Sequence, residues 1–326
     1  MVEKVKSRIF IVLNIKHITK FYLMISTISF DKITDIFCIV DEFCNDFSKQ
    51  LEPHLIGNKP KKKPTMTSSE ICTIIILFQL SGFRCFKYFY LFYVQRHMKN
   101  EFPRTVSYNR FVELMQSNLL PLTMFLKTCC LGDCTGISFT DSTPVRVCNN
   151  KRIKRNKVFK DFASVGKSTM GWFYGFKLHL IINDKGELLN FQITQANLDD
   201  REPLKQEKYF SNIFGKLFAD KGYISEKLTQ ILFIEGIQLI TGIRNNMRNS
   251  LMSMHDKIML RKRSIIETVN DELKNLCHLE HSRHRSVVNF LVNIIGSLIA
   301  YSFFPKKPSI KYSTDNQGDK NQLVLF

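Results

Sequence analysis

The chain has 326 residues, 44% of them hydrophobic, and carries 47 Lys and Arg against 29 Asp and Glu, a net charge of +18. That length supports a full core plus a smaller second unit, and the charge points to a polyanionic partner, nucleic acid before an acidic membrane surface. The nine cysteines are odd in number, form no CxxC and sit partly inside apolar runs, which excludes a disulfide framework; zinc at Cys129, Cys130 and Cys134 is set aside because the spacing fits no common site.

Residues 1–30 read as an uncertain N-terminal extension. The apolar run Ile9–Ile15 is short for a signal peptide and is interrupted by Lys16, His17 and Lys20, with Met24 as an alternative start. Residues 31–130 read as a small all-α domain. Asp31–Leu51 carries a helical stripe of Ile33, Ile36, Phe37, Val40, Phe43, Cys44 and Phe47. Gly57–Pro64 is a basic, breaker-rich linker, and Thr67 with Glu70 forms a capping box for a helix ending at Ser81–Gly82. Phe83–Met98 predicts an aromatic-rich helix, Ser107 caps another, and Leu119–Thr128 gives a further one. Short helices with Lys61, Lys62, Lys63, Arg84, Lys87, Arg96, Lys99, Arg104 and Arg110 between them suit a helix-turn-helix-like DNA reader or a bundle that only packs.

Residues 131–305 change pattern. Ile137–Thr140 predicts a short strand closed by Asp141. A basic loop, Asn149–Lys167, follows with Lys151, Arg152, Lys154, Arg155, Lys157, Lys160 and Lys167 against Asp161 alone. Phe173–Ile182 and Leu188–Thr194 predict a hairpin turning at Asn183–Gly186. A helix is expected over Asp199–Phe210, capped by Asp199 and Asp200. Then come a strand Lys216–Ala219 closed by Asp220, a helix capped by Ser225, and a strand Ile237–Thr241. A hairpin meander running into βαβ crossovers gives an α/β fold, a mixed five-stranded sheet flanked by helices, with Asp141 and Asp220 at one rim.

On the helix that follows, Arg263, Glu267, Asn270 and Lys274 share one narrow face, opposite Ile258, Ile265, Ile266, Val269, Leu273 and Leu276. Alone, Arg263 and Glu267 are an ordinary i, i+4 pair. With Asp141 and Asp220 the glutamate completes a trio of carboxylates, hard oxygen donors suited to Mg²⁺. Two such ions roughly 3.5–4 Å apart serve in-line displacement at phosphorus. Arg263 and Lys274 would then meet backbone phosphates. His179 reads as a packed strand histidine. His278, His281 and His284, with Arg283 and Arg285 between them, read as a DNA-facing basic stretch, because three-residue steps drift around a helix. Trp172 is expected in the core, the other reading being a stack on an exposed base. Val287–Phe304 is apolar, with Asn289, Asn293 and Ser297 on one face, and reads as a buried amphipathic helix, so no membrane association is expected. Residues 306–326 form a polar tail.

Four blocks, Ser138–Val147 (SFTDSTPVRV), Gly171–Leu180 (GWFYGFKLHL), Phe218–Tyr223 (FADKGY) and Arg263–Lys274, resemble in order and character the DDE-class transposases of bacterial insertion sequences, over roughly Asp31 to Tyr301. The resemblance implies a ribonuclease-H-like core in which Asp141, Asp220 and Glu267 bind two Mg²⁺, with Mn²⁺ expected to substitute. It also implies double-stranded DNA, transposon ends and target, as partner. A homodimer or larger synaptic complex, working in the bacterial cytoplasm at the nucleoid, is implied as well. Arg263 and Lys274 match the family's third-acid motif, whereas Leu260 stands where the family usually has Tyr, so contacts to the transposon end are expected to differ. Lys151, Arg152, Lys154, Arg155, Arg283 and Arg285 are further candidate DNA contacts. The expected activity is cleavage at terminal inverted repeats followed by strand transfer; a nuclease that never joins, and a silent repressor descended from a transposase, are the alternatives.

Overall fold

The computed structural model describes residues 29–54, 63–243, 251–280 and 284–311, with the backbone of 323–325. Expectations placed on residues 1–28, on the linker residues 57–62 and on His281 and Arg283 lie outside the described residues. Two compact units are present. They do not follow chain order, because Leu276–His278 and Val288–Ala300 join the helical unit formed by the first part of the chain.

In the helical unit, α1 (Phe30–Leu51) begins where the Ser29 side chain accepts from the Lys32 N–H, and it buries Ile33, Ile36, Val40 and Cys44. The capping box of α2 (Ser68–Leu80) forms as the sequence predicts. Thr67 Oγ1 accepts from the Glu70 N–H at 3.1 Å while the Glu70 carboxylate accepts from the Thr67 N–H at 2.6 Å. The aromatic-rich helix runs through Phe86–Tyr88, Phe89–Val94 and Gln95–His97, with a π-helical middle, and Ser107 caps α3 (Tyr108–Ser117), after which comes α4 (Leu119–Cys129). Phe78, Phe89, Tyr90 and Phe111 fill the centre of the unit. The apolar helix Val287–Ser302 brings Asn293 and Ser297 inside. Gln79 Nε2 donates to Asn293 Oδ1 at 2.8 Å and Ser297 Oγ donates to the Cys277 carbonyl at 2.8 Å, so Asn293 and Ser297 are buried with hydrogen-bond partners. Among the described residues no helix is long and apolar enough to cross a membrane.

The second unit is built on one mixed sheet of β1 (Ile137–Cys148), β2 (Ser164–Ser168), β3 (Gly171–Asn183), β4 (Leu188–Gln195), β5 (Gly215–Ala219) and β6 (Ile237–Thr241). β2 and β4 occupy successive stretches of one edge of β3, and the order continues β3, β1, β5, β6. β5 runs parallel to β1 and β6 parallel to β5, the latter crossover being made by α5 (Glu226–Ile234). The five expected strands are thus joined by a sixth, which forms inside the predicted basic loop. One face of the sheet buries Ile181, Leu217 and Ala219 against Tyr209, Phe210, Leu228 and Leu232. On the other, Phe139 and Phe218 stack with ring centroids 5.5 Å apart. The β3–β4 hairpin turns at Gly186, whose φ of +74° and close approach to the Pro308 carbonyl leave no room for a side chain. Ile310 N–H donates to the Asp184 carbonyl at 2.8 Å, tying residues beyond the last helix to that turn.

Three expectations fail here. β1 does not stop at Thr140. Its polar Asp141-Ser142-Thr143 stays paired because the long β3 lies opposite from Ser138↔Asn183 to Cys148↔Tyr174. The helix over Asp199–Phe210 does not form. Asp199 turns back on Arg201, accepting from its backbone N–H and its Nε at 2.9 Å, Pro203 opens only a 3₁₀ turn (Pro203–Lys205), and one helical turn (Glu207–Phe210) follows. Asp200 instead pairs with Lys177 at 2.9 Å. Finally, the helix around Glu267 is two helices, α6 (Met254–Lys262) and α7 (Ser264–Asn275), meeting at Arg263. The break takes Ile258 out of phase with α7 and leaves it exposed; Leu276, past the end of α7, is exposed too, while Asn270 is buried with Ile266, Val269 and Leu273.

Candidate active site

Asp141 lies inside β1, opposite Leu180. The parallel register of β1 and β5 ends at Phe139↔Phe218, so two positions further along each strand Asp141 comes abreast of Asp220. A pleat of period two turns both side chains to the face of the stacked phenylalanines, and neighbouring strands lie about 4.8 Å apart. Asp220 opens the 3₁₀ turn Lys221–Tyr223 just past the end of β5. α7 packs on β1 and supplies Glu267 from its first turn.

Arg263, at the junction of α6 and α7, ties the acids together. One of its terminal nitrogens lies 3.0 Å from Glu267 Oε1 and 3.9 Å from Asp220 Oδ1. The Arg263 side chain is 19% exposed, whereas Asp220 and Glu267 are more than half exposed. Asp141 is the recessed member. Burial pushes its carboxyl up to about 6; Glu267 and Asp220 add to the rise, and the Ser142 backbone N–H and Arg263 oppose it. Asp141, Asp220, Glu267 and Arg263 are therefore brought together from three separate stretches of chain.

Lys274 stands to one side, its pKa lowered by burial, and pairs with Glu280 at 3.9 Å. Glu280 also accepts the Arg146 backbone N–H at 3.1 Å, which fastens the segment after α7 to β1. Sequence reasoning passed over Glu280; its signal was a single acid in an otherwise basic stretch. Tyr223, the last residue of FADKGY, is buried, and burial raises its phenol well above the ordinary value.

The remaining candidates lie elsewhere. Lys151, Arg152, Lys154 and Arg155 are exposed on the 3₁₀ turn Asn150–Arg155, and Arg285 is exposed. Three expectations are corrected. Trp172 is 61% exposed and out of the core, because it sits at the outer end of β3, opposite Lys167 of β2. His278 is buried and does not face DNA; it takes a positive φ of 53° just after α7. Burial also pushes His284 down to about 4, which removes it as a cation near neutrality. His179 is a packed strand histidine, its Nε2 2.8 Å from Thr194 Oγ1, and burial holds its pKa at about 4.

Carboxylates of this kind fit hard divalent cations, and the recessed Asp141, charged against its surroundings, is the group that gains most from one. As the side chains stand, no three acidic, histidine or cysteine groups among the described residues are gathered as metal ligands; the Arg263 guanidinium supplies the positive charge at Asp220 and Glu267 instead.

A family model described as Transposase DDE domain matches residues 131–287, a span that holds Asp141, Asp220, Glu267 and all six strands of the sheet. No curated protein matches the chain.

Proposed function

We propose, from the match of residues 131–287 to the Transposase DDE domain model, that this chain binds the terminal inverted repeats of its own insertion sequence, cuts DNA there and joins the freed 3′-hydroxyls to a target. The observation that carries the reading is the convergence of Asp220 and Glu267 on one nitrogen of Arg263, with Asp141 recessed beside them. In this reading the three carboxylates hold two divalent ions, Mg²⁺ or Mn²⁺. When bound, these ions activate the attacking oxygen and stabilise the leaving one during in-line displacement.

The chain's own groups do the rest. Asp220 and Glu267, open to solvent, would offer bound ions the charge that Arg263 now balances, and Asp141 is fixed on β1 opposite Leu180 of β3. Arg263, released from the acids, and Lys274, half-buried beside Glu280, meet backbone phosphates on either flank of the cut. Lys151, Arg152, Lys154, Arg155 and Arg285 extend that contact along the duplex by charge alone. The helical unit, with exposed Arg84, Lys87, Arg96, Lys99, Arg104 and Arg110, serves as the DNA reader. Paired transposon ends call for a homodimer or larger synaptic complex, working at the nucleoid.

Strand cleavage on duplex carrying the flanking inverted repeats tests this, run with Mg²⁺, with EDTA, and with Glu267→Gln. Nicking at the repeat boundary that needs the metal and the glutamate is the expected result. Tight binding without cleavage under any divalent metal would leave a DNA-binding repressor instead.

A further inference from the structure

The tip of the β2–β3 hairpin is apolar and aromatic, yet it projects into solvent. Trp172, the only tryptophan of the chain, is 61% exposed and Met170, at the turn, is 82% exposed. Lys167, across the hairpin, places its Nζ 5.8 Å from the indole centroid, covering one side of the ring system. The hairpin is held rigid. Ser168 Oγ donates to the Gly171 carbonyl at 3.1 Å, and Asn150 Nδ2 donates to the Trp172 carbonyl at 2.7 Å. That second bond joins the tryptophan to the 3₁₀ turn bearing the exposed cations Lys151, Arg152, Lys154 and Arg155.

An exposed tryptophan costs solvation free energy, and a solvent-facing strand position is commonly polar. Here it is set on a fixed backbone beside a dense cluster of cations. A flat aromatic face beside positive charge matches an unpaired nucleotide, whose base stacks while its phosphates meet the cations. A protein partner would have to neutralise the same cations with acids, so charge complementarity favours nucleic acid.

We propose that Trp172 is a stacking platform for an unpaired base of the bound DNA, positioned by Asn150 and Lys167. The proposal rests on the DNA-processing reading above and adds the structure of the DNA that is recognised. Trp172 lies eight residues along β3 from Leu180, the partner of Asp141. At about 3.3 Å per residue the platform is roughly 26 Å along the strand direction from the level of Asp141, or some eight base steps of duplex. The unpaired base is therefore expected at about that distance from the cut.

A lone tryptophan makes its own fluorescence a readout in the proteins that keep it, and anisotropy of end-labelled DNA gives the affinity of every variant. The full chain is titrated with three probes of one sequence: a blunt 30-base-pair duplex, the same duplex with a three-nucleotide 5′ overhang, and the free single strand. The wild-type protein should show quenching with the overhang and the single strand and little with the blunt duplex, and should prefer the overhang by roughly tenfold. Trp172→Ala should erase that preference while leaving blunt-duplex affinity and melting temperature unchanged; Trp172→Phe should keep part of it. Equal affinity of Trp172→Ala and wild type for the overhang, or quenching by the blunt duplex alone, would overturn the stacking role. A change of oligomeric state in Trp172→Ala would overturn it in favour of contact between copies of the chain. Glu267→Gln, which should keep the quenching, separates the two readings. Quenching without metal-dependent cleavage in wild type sinks the transposase reading and leaves the platform; cleavage without quenching does the reverse.

Discussion

Arg263 and Glu267 are joined by a 3.0 Å ion pair, and the same Arg263 nitrogen reaches Asp220 at 3.9 Å. The guanidinium thus occupies the attention of two of the three acids assigned to the metals. Any cation bound there has to take their charge from it. Arg263→Ala should lower the melting temperature in EDTA only slightly, since pairs with acids this exposed contribute little. It should enlarge the stabilisation gained from Mg²⁺, read as a steeper rise in melting temperature over a Mg²⁺ titration. A rise equal to or smaller than that of wild type would show that Arg263 does not compete for the acids.

Asp141 is the acid whose folded environment opposes its charge. Its pKa is raised from 3.8 to about 6, so the folded chain favours the protonated form. The stability this contributes is full below about pH 4 and is lost as the pH climbs through 6. At neutral pH the charged carboxylate is therefore a burden of at most about 3 kcal/mol. Asp141→Asn should be more stable than wild type at pH 7.5 in urea unfolding, and cleavage should fall by roughly 100-fold or more. A variant that is less stable at pH 7.5 would remove the burial argument.

His179 works in the opposite sense. Its pKa is lowered from 6.5 to about 4, mainly by burial, so the neutral imidazole is favoured in the folded chain. The stability it contributes is present above pH 6.5 and is lost as the pH falls toward 4, roughly 2 kcal/mol between pH 7 and 5. His179→Gln should flatten the acid side of the stability profile. Asp141→Asn should steepen it, because the compensating gain on protonation is gone. Parallel profiles for the two variants would contradict both assignments.

Gly175 holds β3 against β1 between the acids and the hairpin tip. A Cβ there would run into the Val145 carbonyl oxygen, a backbone atom that cannot move aside alone. Gly175→Ala should destabilise the sheet unit by about 1–3 kcal/mol. Hydrogen exchange should show the loosening across β1 and β3 and leave the buried helix α2 protected. Uniform loss of protection in both units would mean that they unfold together.

Much of the architecture was legible from local chemistry. The alternation of Phe173–Ile182, the Asn183–Gly186 turn and the Thr67–Glu70 capping box each express short-range preferences that no distant contact overrode. The Asp141, Asp220 and Glu267 pattern was visible because each acid sits at a fixed offset within a distinctive block. Where local signals competed, the sequence misled. The polar Asp141-Ser142-Thr143 stretch looks like the end of a strand but continues because a long partner lies opposite. Asp199–Phe210 has the composition of a helix, yet Arg201 and Pro203 turn it.

By itself, then, the sequence determined most of the elements and the net positive charge and singled out three acids, since all of these follow from residues near one another in the chain. The tertiary structure decided what stands beside what. A parallel register set Asp141 abreast of Asp220, and a break at Arg263 aimed one guanidinium at two acids. The same packing left Trp172 in solvent and took His278 out of it. Burial is a property of the whole assembly: a residue's own neighbours in sequence cannot say which side of it will be covered by chain that arrives from a hundred residues away.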